Sequence, residues 1–214
     1  VSGAQLAGLE LLVASGNTKK LAELVALLGP LGVRLLVPAD VGGLPEVDED
    51  APDFRGNAAK KATSGARAAG RWCLADDSGL VVPSLGGEPG VRSARYAGRH
   101  GDDAANNRAL LERLAGTTDR RAAFVCVLAL AAPSGRVVAT FEGRVEGRIL
   151  TEPRGAHGFG YDPLFVVDDS GAPKDERSFA EYSPAEKAQV SHRGRALAAF
   201  AALLPQFVAA CGST

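Results

Sequence analysis

A chain of 214 residues is long enough to bury a sizeable interior, as one large domain or as two lobes sharing a core. Its formal net charge of −1 advertises no field for nucleic acid or an anionic membrane surface, so any polyanion site must be local. Cys73, Cys126 and Cys211 are odd in number, far apart and outside metal-ligand spacing; Cys73 and Cys126 sit in strand-like apolar runs and read as reduced core thiols, which favours a cytoplasmic protein.

Leu9 to Ala14 is a short apolar run that ends at Ser15-Gly16-Asn17. From Thr18 the spacing of Leu21, Leu24, Val25 and Leu28 predicts a helix, closed by Gly29-Pro30. Strand, glycine turn and helix start form a phosphate-binding geometry, because free N–H groups and the helix dipole point at the turn. The segment is not a P-loop, since its glycine and lysine spacing differs. Val33 to Val37 reads as a second strand, Glu46 to Asp50 as an acidic loop, and Asn57 to Ala69 as an Ala-rich helix carrying Lys60 and Lys61. Trp72-Cys73-Leu74 reads as the end of one buried strand and Leu80-Val81-Val82 as another, with Asp76-Asp77-Ser78-Gly79 as a tight break between them. Carboxylates so placed are costly unless they are paired or hold a cation.

Further on, Gly86 to Gly90 is a loop, and Asp102 caps a helix through Ala115 with Leu110, Leu111 and Leu114 on its apolar face. Ala122 to Ala132 and Arg136 to Val145 read as a long β-hairpin across Pro133-Ser134-Gly135. A glycine-rich loop, Arg154 to Pro163, leads into a strand at Leu164 to Val167. Ser183-Pro184-Ala185-Glu186 is a capping box, Ser191-His192-Arg193 interrupts the next stretch, and Leu197, Phe200, Leu203 and Leu204 form the face of a last helix. Helices at both ends with a hairpin between them predict an α/β fold with a mixed central sheet flanked by helices. The N-terminus lacks a signal-peptide pattern, and the longest apolar run, Ala196 to Cys211, is broken by Pro205 and Gln206 and too short to span a bilayer.

Four motifs taken together carry a resemblance: Ser15-Gly16-Asn17-Thr18-Lys19-Lys20, Ala75-Asp76-Asp77-Ser78-Gly79-Leu80, Gly158-Phe159-Gly160-Tyr161-Asp162-Pro163 and Ser191-His192-Arg193-Gly194. The chain resembles, from about Leu11 to Leu204, the inosine/xanthosine triphosphate pyrophosphatases that act on non-canonical purine nucleotides. The resemblance implies a single two-lobed domain with a cleft between the lobes, a homodimer, and Mg²⁺-dependent hydrolysis of ITP, dITP and XTP to the monophosphate and pyrophosphate, with Mn²⁺ tolerated. It implies Asp77 as proton acceptor and metal ligand and Glu49 as the second metal ligand. It implies triphosphate contacts from Ser15, Gly16, Asn17, Thr18, Lys19, Lys20, Lys61 and Ser78. On the nucleoside side it implies Phe159, Gly160, Tyr161, Asp162, Lys187, His192 and Arg193. The sequence departs from the family at Arg55-Gly56, where acidic residues are usual, at Ser15, where Thr is commoner, and at His157, where many members have Gly.

Residue chemistry agrees with this assignment. A nucleoside triphosphate needs cationic and N–H donors, a divalent ion and a positioned water. Lys20, Lys61 and the helix start near Thr18 supply the first, and carboxylates are the hard oxygen ligands that Mg²⁺ prefers. Arg193 and a charged Lys187 only donate hydrogen bonds, and His192 donates from one ring nitrogen or the other, so a site built from them pairs with the C6 oxygen of hypoxanthine or xanthine and rejects the C6 amino group of adenine. Phe159 is the platform for the purine face, with Tyr161 and Asp162 completing the wall. The rival readings are a Maf-like pyrophosphatase acting on pyrimidine triphosphates, an aspartyl-phosphate phosphatase, which wants Asp-x-Asp rather than adjacent carboxylates, and a nucleotide-binding module without hydrolysis.

Overall fold

A computed structural model describes residues 10–168 and 175–211. Among them six strands form one sheet in the order β2-β1-β3-β4-β5-β6: β1 (Glu10–Ala14), β2 (Arg34–Leu36), β3 (Trp72–Val81), β4 (Arg121–Ala131), β5 (Val137–Ile149) and β6 (Phe165–Val167). β1 runs parallel to β2 and β3, and β5 antiparallel to β6. β4 and β5 are joined by residues 132–136, too short for a parallel crossover, which makes them the predicted hairpin. The sheet is therefore mixed. The helices are α1 (Thr18–Leu28), α2 (Phe54–Ala69), α3 (Asp103–Arg113), α4 (Pro184–Val190) and α5 (His192–Cys211).

Helix starts follow local chemistry. Asn17, Asp53, Asp102 and Ser183 each accept a backbone N–H from the first turn of α1, α2, α3 and α4, a contact worth about 1 kcal/mol per cap. Ser183 and Glu186 form the reciprocal capping box. Burial follows periodicity: β5 alternates, with Phe141, Val145 and Ile149 inside and Glu142, Arg144 and Glu146 outside, whereas β4 is buried along nearly its whole length.

The chain divides into two compact units. Among the described residues the first comprises 10–77, 127–143 and 195–211. Its buried residues include Leu11, Leu12 and Val13 of β1, Leu24 and Leu28 of α1, and the alanines 58, 62 and 66 of α2. Phe141 of β5 meets Phe200 of α5 edge-on at 5.4 Å. The second comprises residues 78–126, 144–168 and 175–194, with a core of Leu80, Leu110, Leu114, Phe124, Val145, Tyr161, Phe165 and Phe179 among others.

Three local expectations change. Asp76-Asp77-Ser78-Gly79 is not a break: β3 is one continuous ten-residue strand. Turn-forming composition yields to ladder pairing, since β3 lies between β1 and β4. Gly79 is there for close approach, because a Cβ would fall 2.3 Å from Ser93 Oγ and 2.6 Å from the Gly90 carbonyl oxygen. Gly29 does not end α1 in a left-handed conformation; its φ is −50°, a 3₁₀ turn follows, and the left-handed residue is Gly32. Leu203 is exposed, unlike its buried helix neighbours Leu197, Phe200 and Leu204. Leu9 and the Cys211 thiol lie outside the described residues, whereas Cys73 and Cys126 are free, buried thiols.

Candidate functional site

The sequence-predicted residues fall into two clusters, one in each unit. In the first unit, β1 and β3 run parallel with Ala14 opposite Ala75. Ser15 to Asn17, at the C-terminal end of β1, and Asp76-Asp77 therefore follow paired positions of neighbouring strands, the edge where open α/β sheets bind ligands. Both carboxylates are buried, Asp76 2% and Asp77 4% exposed. Lys20, in the first turn of α1, places Nζ 3.5 Å from Asp76 Oδ2. Lys61 of α2 places Nζ 3.1 Å from Asp77 Oδ1 and 3.4 Å from Glu49 Oε2. Asn57, one turn earlier on α2, donates to Asp77 Oδ2 at 3.1 Å, and its own oxygen accepts from Ala51 N–H at 2.9 Å. Asn57 is thus a site residue, four residues before Lys61 on the same helix face.

The charges explain the chemistry. Burial lifts the Asp77 carboxyl above its ordinary value; Lys61 and Lys20 pull it down, Glu49 pushes it up, and the Asn57 hydrogen bond lowers it. Burial also works against the Lys61 ammonium, but Asp77, Asp76 and Glu49 outweigh it and hold the amine charged beyond its usual range. The Lys61–Asp77 pair therefore favours the charged lysine but not the charged aspartate. The reason is burial, which outweighs the lysines at Asp77 but not the carboxylates at Lys61. Such a cluster of carboxylate oxygens suits a hard divalent cation. Among the described residues no three His, Cys, Asp or Glu side chains gather as a complete metal cage. An octahedral Mg²⁺ site with one or two carboxylates, waters and substrate phosphate needs no such cage. Glu49 and Asp77 fit that role.

The helix start is less open than the sequence predicts. Asn17 Oδ1 accepts from the N–H groups of both Lys19 and Lys20, at 3.0 and 3.1 Å, so two of the donors expected to face phosphate are already used by the cap. Ser15 Oγ bonds the backbone of Asn17 in both directions at 3.3 Å. Gly16, Thr18 and the Lys19 side chain are exposed there. Arg55 donates to Thr140 Oγ1 at 2.8 Å, so no accessory carboxylate stands at that position.

In the second unit, Ser191 ends α4, and its Oγ accepts Gly194 N–H at 3.1 Å to start α5. A Cβ on Gly194 would fall 1.9 Å from the Ala188 carbonyl oxygen, so this sharp corner needs glycine. The corner places His192 and Arg193 in one inward-facing turn. His192 stacks on Phe124 of β4 at 4.7 Å and 10°. Arg193, 1% exposed, donates from Nη2 to Ser78 Oγ at 3.0 Å. Lys187 of α4 forms a buried pair with Asp162 at 2.6 Å, and its Nζ lies 4.8 Å from the centre of the half-buried Phe159 ring. Arg193 Cζ lies 5.9 Å from the same ring. Phe159 is thus an aromatic face flanked by two cations. Phe124, which holds the imidazole, reads in sequence only as a core residue.

Two predicted wall residues have other work. Tyr161 is 3% exposed within the apolar core, and its hydroxyl donates to the Ser93 carbonyl at 2.9 Å. Burial pushes that phenol's pKa up, as an apolar surrounding disfavours its charged form. Asp162 Oδ2 receives both Lys187 Nζ and Phe159 N–H, the latter at 2.8 Å, so it ties the loop and draws on one Lys187 donor. Gly158, at φ +73°, lies so close that a Cβ would fall 2.2 Å from that same oxygen. His157 is an exposed loop residue whose N–H bonds the Ala180 carbonyl.

Residues 11–203 match the Ham1 family. The chain is 52% identical over 187 residues to the dITP/XTP pyrophosphatase of Syntrophobacter fumaroxidans, covering 87% of this chain and 78% of that protein. It is 52% identical over 194 residues to the dITP/XTP pyrophosphatase of Mycobacterium tuberculosis, covering 88% and 92%. The solved structure of a HAM1 protein from Coxiella burnetii superimposes with a TM-score of 0.82 at 40% identity, covering 92% of this chain and 99% of that one.

Proposed function

Because this chain belongs to the Ham1 family, we propose that it is a nucleoside triphosphate pyrophosphohydrolase that converts the non-canonical purine nucleotides dITP, ITP and XTP to the monophosphate and pyrophosphate. The names of its relatives support the substrate class. The observation that carries the chemistry is Asp77, a buried carboxylate facing Lys61 and held by Asn57. Lys20 and Lys61 are the cations for the triphosphate, joined by the exposed Gly16 and Thr18 backbone and the Ser15 and Ser78 hydroxyls. Mg²⁺ held by Glu49 and Asp77 would supply the charge that neutralises phosphate oxygens, and Mn²⁺ would be tolerated. Asp77 orients the attacking water and takes its proton, a role for which an upward-shifted carboxyl is suited. Asn57 fixes the direction of that carboxylate.

The base is read in the second unit. Phe159 receives the purine face, and Arg193, Lys187 and His192 present hydrogen-bond donors to the C6 oxygen. Asp77 and Ser78 are consecutive residues of β3, and Ser78 Oγ accepts from Arg193, one of the base-reading donors. The experiment is pyrophosphate release from ITP, XTP, ATP and a pyrimidine triphosphate side by side. Strong preference for the deaminated purines is expected; equal turnover of ATP or preference for the pyrimidine overturns the reading. Free, buried Cys73 and Cys126 fit a reducing cytoplasm. A two-fold homodimer completes the proposal, and a light-scattering mass of one chain at micromolar concentration counts against it.

A further inference from the structure

We propose that Asp103 and Asn107 of α3 are positioning residues for base selection, acting through the backbone of the Phe159-Gly160 loop without touching the nucleotide. The inference rests on the pyrophosphohydrolase reading above. The two residues lie four apart and share one helix face. Asp103 Oδ2 accepts Gly160 N–H at 2.9 Å, and Asn107 Nδ2 donates to the Gly160 carbonyl at 3.0 Å. On the other side of Phe159, Asp162 accepts the Phe159 N–H at 2.8 Å and is itself held by Lys187. The two peptide groups that flank the Phe159 Cα are therefore both pinned, one by Asp162 and one by Asp103.

Pinning both peptides fixes the two backbone dihedrals of Phe159, and with them the direction in which its ring leaves the chain. The loop needs this restraint. It runs through Gly158 at φ +73° and Gly160 at φ +60°, residues with more backbone freedom than any other. Asn107 is buried, and its second polar atom, Oδ1, has no hydrogen-bond partner among the described residues. Leaving a buried carbonyl oxygen unsatisfied is costly, and the single bond this side chain makes is the one to Gly160. Asp103 and Asn107 sit on a helix whose sequence reads as an ordinary amphipathic element, so the clamp is visible only once the fold brings α3 to the loop.

The test uses the full chain and three variants. Asn107→Asp keeps size and shape but removes the donor and sets a carboxylate oxygen against the Gly160 carbonyl. Asp103→Ala removes the acceptor from a half-buried position where folding is less at risk. Asp103→Asn keeps an acceptor oxygen. Misplacing a positioned group by about 1 Å is worth up to about 100-fold in rate. Asn107→Asp and Asp103→Ala are therefore expected to raise KM for ITP and to lower the ITP/ATP ratio of kcat/KM by about 10–100-fold with kcat at saturating ITP held, the melting temperature holding in Asp103→Ala and falling in Asn107→Asp, where a charge is buried. Asp103→Asn is expected to restore the ratio. An unchanged ITP/ATP ratio in Asp103→Ala, or an equal loss of kcat on both nucleotides, overturns the inference. If the wild-type protein itself shows no preference for ITP, the functional reading fails and this inference falls with it; a preferring wild type with indifferent variants sinks the inference alone.

Discussion

Asp77→Asn separates catalysis from folding more cleanly than any other change at the site. The amide keeps the shape of the side chain and can still accept from Asn57 or Lys61, but it cannot take a proton and is a poor ligand for a divalent ion. Loss of a general base costs about 10²–10⁴-fold in rate, equivalent to about 3–5 kcal/mol of transition-state stabilisation. Stability should move differently. Burial raises the Asp77 carboxyl, so the fold favours its neutral form. A raised carboxyl contributes stability that is fully present below the unfolded-state value of 3.8 and lost as pH rises through the folded-state value. Above the folded-state value that stability is gone, and a side chain neutral at every pH avoids the loss. Lys61 gives back part of the gain, because its ammonium loses one of its three carboxylates. The expected outcome is pyrophosphate release from ITP reduced by at least 10²-fold, with a melting temperature equal to or above wild type. For a chain of this length 1 kcal/mol is about 2–4 °C. A variant that melts well below that margin makes Asp77 a structural residue, and one that turns over ITP normally removes it from the chemistry.

Other perturbations probe the rest of the site. EDTA should abolish turnover and added Mg²⁺ should restore it; activity that survives chelation contradicts the roles given to Glu49 and Asp77. Lys61→Met removes the cation that bridges those two carboxylates, so Mn²⁺ binding to the nucleotide-free protein, read by electron paramagnetic resonance, should tighten while ITP turnover falls. Arg193→Ala should cost about 10–100-fold in kcat/KM on ITP, the worth of a hydrogen bond from a charged donor, and much less on ATP; an equal loss on both means that Arg193 serves the phosphates or the fold. Burial pushes the Cys73 thiol from 9.0 up to about 12. It should resist alkylation in the native state at pH 8, and its contribution to stability, full below pH 9, should fade as pH rises toward 12.

Much of this architecture is legible in the sequence because its signals are local. Asn17, Asp102 and Ser183 cap helices that begin one residue later, and the alternation of β5 and the short turn after β4 report a hairpin without reference to anything distant. The failures share one cause: partners far apart in the chain. Nothing near Tyr161 signals that its hydroxyl will meet the Ser93 carbonyl, and nothing near Gly160 signals Asp103 and Asn107. The most consequential case is Asp76-Asp77-Ser78-Gly79. By composition these four residues are a turn, and a carboxylate in a turn is hydrated, cheap and chemically ordinary. They belong instead to the continuous strand β3, which lies between β1 and β4, and there Asp76 and Asp77 are almost wholly buried. The fold then holds charge where it is expensive to hold, and Lys20, Lys61, the Asn57 hydrogen bond and an incoming cation offset it. The function proposed here depends on that burial: solvated in a turn, Asp77 would keep an ordinary carboxylate pKa and a water shell, and would have little pull on a divalent ion or on a proton.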